Sequence, residues 1–523
     1  MVDVLNAEYQ DGRRRFSSSN AEQAVGLPVA GSAAEGLSAG TESRWHRLAL
    51  GSVLLIALGL WAVRAFSPSD LADNHQNAPT AYVLDIVYGH HWWCQRDERG
   101  AIASKPPLFN WMAALSAKAF GQVSHFTLSI PSALATIALA LVIFFLTEEH
   151  FGWRAGLLAG ACYLLSPYTA KQILLVRTDP LFSLMVTLAA LAAYRAWSGR
   201  ITWFWFWLAA AGATLTKGPV GILLAASGML AAKWEGKTSA PTPIKRGGHA
   251  LGLLVFFALT VGWLSVAWRQ EGKGLLDKLF VQELFGHVVS KGKGSMPLIQ
   301  FYLSPLYFLS RFAPWSLVAG LALWHVWRFP ASITSERRFE RFLFCWFLGG
   351  LSLFSMAAHQ RADLLLPLVP PAAILCGRQL ARWSERLTSP TLLAGVWSAA
   401  VVFLLAFYLY EWRIRSRSEA VQFTQDSAVM SQEILRDLGP NCPIAFVDAS
   451  ILFQMHLKTF QFQTPTQRAA TLLRREKPVF FLVQDLRALQ QALGSNSVPL
   501  FTLAQTPPGH FQTRLISNRP RPQ

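Results

Sequence analysis

Long apolar runs separated by short polar stretches fill the chain from residue 47 to residue 410. Crossing a hydrocarbon core takes about 20 predominantly apolar residues. The runs that approach this are 47–66, 126–147, 151–170, 180–197, 201–216, 218–234, 249–268, 302–327, 342–358, 364–377 and 388–410. They predict about eleven spans, within a range of roughly nine to thirteen because several runs are short for a full crossing. Residues 105–121 (KPPLFNWMAALSAKAFG) have the pattern of an amphipathic helix lying at the interface. Residues 1–45 carry Ser, Ala, Gly and charge, including Arg13-Arg14-Arg15, and predict a disordered cytoplasmic tail. The first apolar run begins too late for a cleavable signal peptide, so the first span is predicted to be an uncleaved anchor. At the other end, residues 412–523 change character. Short apolar runs (443–449, 478–484, 499–505) alternate with helical patterns such as 466–476, which predicts a small α/β domain. No glycine-rich phosphate loop follows any of these strands, so no nucleotide site is expected there.

Composition strengthens the membrane reading. Of 523 residues, 52% are hydrophobic and only 15% charged, against roughly 25% charged in soluble domains. An ordinary soluble enzyme is therefore excluded. The net charge of +17, from 47 Lys+Arg and 30 Asp+Glu, would suggest nucleic acid in a soluble protein. In a bilayer protein the same cations collect at helix ends and loops facing anionic lipid, so membrane lipids are the expected partner and nucleic acid is not. The five cysteines lack any CxxC pair, which excludes a zinc ribbon or a disulfide scaffold; only Cys94 and Cys442 are placed to share a compartment.

Orientation follows from the short loops. With the N-terminus inside, the inner loops hold Arg195, Arg200, Lys233, Lys237, Lys245, Arg246, Arg328, Arg337, Arg338, Arg341, Arg378, Arg382 and Arg386. Cations in 269–300, and Arg413, Arg415 and Arg417 after the last span, run against this rule, but long loops and late domains tolerate charge. The outer face then receives five stretches with polar groups that topology does not require: 67–107, 171–180, 216–219, 269–300 and 359–363. Their convergence on one face, obtained from charge counting alone, predicts an active site there.

Each candidate in these stretches also has a plain structural reading. Lys105 is either a snorkelling lysine at the start of an interfacial helix or a ligand for an anion. Asp179, followed by Pro180, suits a helix start as well as catalysis. Arg177 and Lys217 are headgroup anchors or phosphate contacts, and Arg361 with Asp363 reads as a mutual salt bridge. The outer histidines His75, His90, His91, His287 and His359 show no metal-ligand spacing such as HExxH.

The segment YVLDIVYGHHWWCQRDERGAIASKPPLFNWMAALSAKAFG resembles the first outer loop and following helix of the aminoarabinose transferase and protein mannosyltransferase type of glycosyltransferases, which share the GT-C fold. Trp93, Gly100, Lys105, Pro106, Pro107, Leu108, Trp111, Phe120 and Gly121 carry the likeness. RTDP at 177–180, KGP at 217–219, Pro314-Trp315 and HQRADLLLPLVPP at 359–371 extend it, in order, across residues 50–380. The resemblance implies an α-helical polytopic membrane protein. A GT-C bundle over 46–411, with its first outer loop at 67–121, would be followed by the extracytoplasmic α/β domain at 412–523. It also implies inverting transfer of a sugar from a polyprenyl-phosphate donor to an envelope lipid, glycan or protein, at the outer face of a bacterial inner membrane. By position Lys105 would bind the carrier phosphate, with Arg361, Lys217 and Arg177 as further contacts, and Asp179 matches the second-loop aspartate of such enzymes. Where relatives carry an acidic residue this chain reads Asp73-Asn74-His75-Gln76, so either Asp73 or His75 takes that place. Ser104 and Leu364 are further departures, and they leave a divalent metal possible rather than required; no other cofactor is implied. The competing readings are a polytopic transporter or lipid flippase, and a catalytically inert relative.

Overall fold

A turn of helix every 3.6 residues satisfies the backbone without water, so apolar runs of this length fold as helices. The computed structural model describes residues 30–68, 71–236, 247–285, 301–357, 359–440, 442–474, 478–494, 498–509 and 512–520. It divides into two compact units, residues 1–47 and 48–523. Residues 30–47 of the first unit are helical, within α1 (Ala30–Ala65), so helix extends into the region expected to be a disordered tail. Residues 1–29 of that tail lie outside the described residues, as do Lys237, Lys245, Arg246 and His287.

The remainder of the bundle begins with α2 (Asn77–Val87) and α3 (Leu108–Ala119) in the first outer loop. Then come α4 (His125–Leu164), α5 (Pro167–Gln172), α6 (Asp179–Trp197), α7 (Phe204–Lys217), α8 (Val220–Ser227) and α9 (Leu230–Glu235). After α10 (His249–Glu271) follow α11 (Leu303–Arg311), α12 (Trp315–Arg328), α13 (Thr334–Met356), α14 (Val369–Trp383) and α15 (Ser389–Leu409). Among the described residues seven helices are long and apolar enough to cross a membrane, or eight if the pair α11 and α12 is one broken span. The sequence reading of about eleven differs for local reasons. The runs 126–147 and 151–170 merge in α4, which is interrupted at Gly152 (φ 81°), and α7, α8 and α9 are singly too short for a crossing. The run 302–327 is bent by 117° between α11 and α12, where Pro314 removes a backbone donor and begins a new helix.

Apolar side chains point outward on α10 and α15, where Leu251, Leu254, Phe257, Val401, Val402 and Leu405 are all more than half exposed. That is the signature of helices whose solvent is lipid. The interior is held by close helix contacts, most tightly between α4 and α14. Gly377 of α14 makes this approach possible: a Cβ there would stand 2.5 Å from the Ala155 carbonyl oxygen and from the Ala159 Cβ. Gly377→Val is expected to destabilise the bundle by about 3 kcal/mol or more through overpacking, read as a loss of folded protein on detergent extraction and a lower Tm.

The C-terminal segment contains α16 (Glu419–Leu438), β1 (Ile444–Val447), α17 (Ile451–His456), α18 (Thr466–Leu473), β2 (Phe480–Val483), α19 (Leu486–Leu493), β3 (Phe501–Gln505) and β4 (Arg514–Ser517). The sheet order is β1-β2-β4-β3, with β1 and β2 parallel and the other pairs antiparallel. Strand alternation sorts the core: Phe480 and Leu482 face Met430 and Ile434 of α16, whereas Phe481 and Val483 face Ala469 of α18 and Leu489 of α19. This α/β layer is continuous with the bundle. Ile451, Leu452 and Met455 of α17 join the main core, and the Gln463 N–H donates to the Glu98 carbonyl at 2.7 Å. All five cysteines are free thiols, Cys94 and Cys442 included.

Candidate active site

Four separated segments deliver charged groups to one end of the bundle: 73–76, 171–179, the α7 terminus at Lys217, and 361–363. The second of these is shaped by its neighbours. Ser132 donates to the Leu175 carbonyl at 2.6 Å, and the Gln76 side-chain oxygen accepts from the Val176 N–H at 2.8 Å. These bonds hold the loop between α5 and α6 so that Arg177 and Asp179 point into the cluster. Lys217 arrives from the last turn of α7, where Gly218 (φ 99°) reverses the chain. Arg361 and Asp363 sit in the connector between α13 and α14, and the Tyr168 hydroxyl donates to the Ala362 carbonyl in the same connector.

The charges form a continuous chain. Lys217 is paired with Asp179, whose other oxygen lies 3.0 Å from Arg177 Nε. Arg177 Nη1 reaches Asp363 at 2.8 Å, and Asp363 is also 3.8 Å from Arg361 and 3.9 Å from Lys171. Lys171 in turn stands 3.8 Å from Asp73. Arg361 Nη2 is 2.8 Å from His75 Nε2, a contact in which the guanidinium is the donor. Asp73 accepts from the His75 backbone N–H at 3.1 Å, closing a tight turn around its carboxylate. Half-buried Lys105 lies within Coulombic range of Lys217 at the edge of the same cluster. Burial alone would lower the pKa of the Arg177 guanidinium, yet the surrounding Asp179, Asp363 and Asp73 push it above its usual value.

The structure thus brings Asp73, His75, Lys105, Arg177, Asp179, Lys217, Arg361 and Asp363 together, and it redirects three of them. Asp179 is 3% exposed and clamped between two cations, so it neither caps a helix through its side chain nor offers a free base. Arg177 is paired with two carboxylates, Asp179 at 3.0 Å and Asp363 at 2.8 Å, and so lies inside the cluster rather than as an isolated loop cation. Lys217 is held by Asp179 rather than snorkelling. Arg361 and Asp363 do approach each other, but the shorter partner of Asp363 is Arg177.

The same architecture occurs in a solved structure. ArnT from Cupriavidus metallidurans, crystallised with undecaprenyl phosphate, superposes with a TM-score of 0.71 at 16% identity, covering 90% of this chain and 98% of that one. The chain has the fold of that structure, the GT-C fold. In sequence, residues 104–264 match the family model for dolichyl-phosphate-mannose-protein mannosyltransferase. An undecaprenyl phosphate-α-4-amino-4-deoxy-L-arabinose arabinosyl transferase of Pseudomonas aeruginosa is 26% identical over 346 residues, 63% of this chain. An uncharacterised protein of Aquifex aeolicus is 25% identical over 326 residues, 62% of this chain and 70% of its own length. The match spans 59% of the length of that Pseudomonas relative.

Within this fold three further residues support the cluster that no motif marks: Lys171, Gln76 and Tyr168. Lys171 lay inside a stretch already marked as polar, but its register on α5 toward Asp73 and Asp363 depends on the turn at Ser166-Pro167 and has no motif of its own. Among the described residues no group of three His, Cys, Asp or Glu converges as a metal-ligand set. The carboxylates of the cluster are engaged by cations, a donor set that does not fit a divalent ion.

The loop that presents Lys105 has its own anchor. Asp85, buried at the end of α2, accepts from the Arg96 N–H at 2.8 Å and pairs with His91 Nδ1 at 2.7 Å. Burial pushes its carboxyl above the usual carboxylate range, against those hydrogen bonds, which act the other way. Further along, Arg96 is paired with Glu271 at the end of α10, and the Trp111 indole N–H donates to the Trp92 carbonyl at 2.6 Å. Asp85→Ala strands the Arg96 N–H and is expected to lower stability by about 1–3 kcal/mol, with earlier proteolysis of the 89–105 loop as the readout.

Proposed function

We propose that this protein transfers a sugar from a polyprenyl-phosphate carrier to an envelope acceptor at the outer face of a bacterial inner membrane, with inversion at the anomeric carbon. The carrying observation is the charge chain itself: cations from four segments, restrained by buried carboxylates, meet at one end of a lipid-facing bundle. Fixed cations of this kind stabilise a phosphate as it departs, because their orientation is already set before charge develops. In this reading Lys105 and Arg361 grip the carrier phosphate, with Lys217 behind them, and Asp179 and Asp363 are the counter-charges that hold the cations in place. The acceptor oxygen attacks the anomeric carbon as the bond from that carbon to the phosphate oxygen breaks. The electron pair leaves on the phosphate, and Asp73, 16% exposed beside Lys171, takes the acceptor proton. His75, 2.8 Å from Arg361, helps to set the orientation of that guanidinium.

Comparative mass spectrometry of envelope glycolipids and glycoproteins, from cells with and without this chain, tests the reading. A sugar-bearing species that disappears with the chain and returns with wild-type protein, but not with Asp73→Asn, supports it. Identical profiles in all cells remove it. The Asp73→Asn protein is expected to transfer about 100-fold or more slowly, the range lost with a general base, at unchanged fold.

A further inference from the structure

A groove of about 560 Å³, lined at one side by Asp73 and Lys171 of the charge chain, opens between α5, the end of α11 and the end of α15. One wall is apolar: Phe403, Ala406 and Phe407 lie at spacings of three and four residues, on one face of α15. The rim is cationic. Lys171, Arg311 and Arg415 line it, and Arg64 adjoins it through Glu411 at 3.4 Å. Against these stand two lining carboxylates, Asp73, shared with Lys171, and Glu411, 3.9 Å from Arg415 and 1% exposed. Arg311 is exposed and makes no ion pair among the described residues. The local balance is an excess of positive charge above a lipid-facing apolar wall. The backbone also departs from regular helix here: Tyr410–Ile414 form a wider, π-helical turn that sets Glu411 inward and Arg415 at the rim, and such turns are often found at functional sites.

We infer that this groove binds the phosphate of an anionic membrane glycerophospholipid, with its acyl chain along α15 and its headgroup between Arg311, Arg415 and Lys171. Among the lining residues three cations face two carboxylates, an excess of one that a single phosphodiester charge matches, and a volume of this order suits a headgroup with the first carbons of a chain. The inference does not depend on sugar transfer. Its link to the site is physical: Lys171 stands between the headgroup and Asp73, so occupancy of the groove draws on the same lysine that neutralises Asp73.

The test is native mass spectrometry of the purified full chain, released from vesicles containing phosphatidylglycerol and phosphatidylcholine in equal amounts. Wild-type protein is expected to retain phosphatidylglycerol at about tenfold preference. Arg311→Ala with Arg415→Ala should bring that preference close to unity, while undecaprenyl phosphate added as a probe still binds. Equal retention of the two phospholipids by wild type overturns the assignment, as does undiminished phosphatidylglycerol retention in the double variant. If undecaprenyl phosphate displaces the phospholipid and is itself lost in the double variant, the groove belongs to the carrier and the assignment also fails. Circular dichroism of the double variant, expected to match wild type, separates loss of the lipid from loss of the fold.

Discussion

Lys105→Ala is expected to reduce sugar transfer by about 100- to 1000-fold, the loss that follows removal of one preorganised donor from a developing negative charge. Folded yield and Tm should stay near wild type. Lys105 is half-buried at the edge of the cluster, and the loop around it is anchored elsewhere, by Asp85, Gln95 and Trp111. A lysine acts on phosphate as a point charge, so Lys105→Arg should recover part of the rate and Lys105→Gln very little. Parallel measurement of transfer, with a polyprenyl-phosphate sugar as donor, and of thermal unfolding in detergent separates chemistry from folding. Full activity in Lys105→Ala would take this residue out of the site.

Glu340→Ala should have the opposite profile: a large loss of stability and little change in turnover per folded molecule. Glu340 of α13 is fully buried and paired with Arg378 of α14, itself 1% exposed in its side chain. It also accepts from the Ala331 N–H at 3.2 Å and lies 3.8 Å from Arg382. Removing the carboxylate leaves a buried guanidinium uncompensated, which costs about 3–5 kcal/mol. Arg378 follows Asp363 by four helical turns along one rod, so this lock sits at the opposite end of the bundle from the charge chain. A lowered Tm with near-normal transfer at low temperature is the expected pair of results.

These two sites also show what a sequence can and cannot convey. The apolar runs announced the bundle because lipid leaves the backbone few alternatives to helix, and strand alternation announced the C-terminal sheet. The polar loops could be grouped on one face because the cations of the alternate short loops orient every span at once. Pairing was not legible. Arg177 and Asp179 are two residues apart, and nothing in RTDP reveals that Arg177 also reaches Asp363, 186 positions later. The same is true of Glu340 with Arg378, and of Arg64 in α1 with Glu411 beyond α15, where each partner alone resembles an ordinary loop or helix-end charge. The bends at Gly152 and before Trp315 were not legible either, because hydropathy has no direction. The tail boundary shifted because small residues such as Ala and Ser, read as unstructured, also tolerate helix, and α1 begins at Ala30.

The clustered cations are expected to hold a prenol-linked phosphate. Equilibrium binding of undecaprenyl phosphate to the purified chain in nanodiscs, compared with Lys105→Ala and Arg361→Ala, addresses it directly. The account predicts saturable binding by wild type and a Kd raised about tenfold or more in each variant, the equivalent of about 1.4 kcal/mol per lost contact. Binding of equal strength in all three proteins would contradict it.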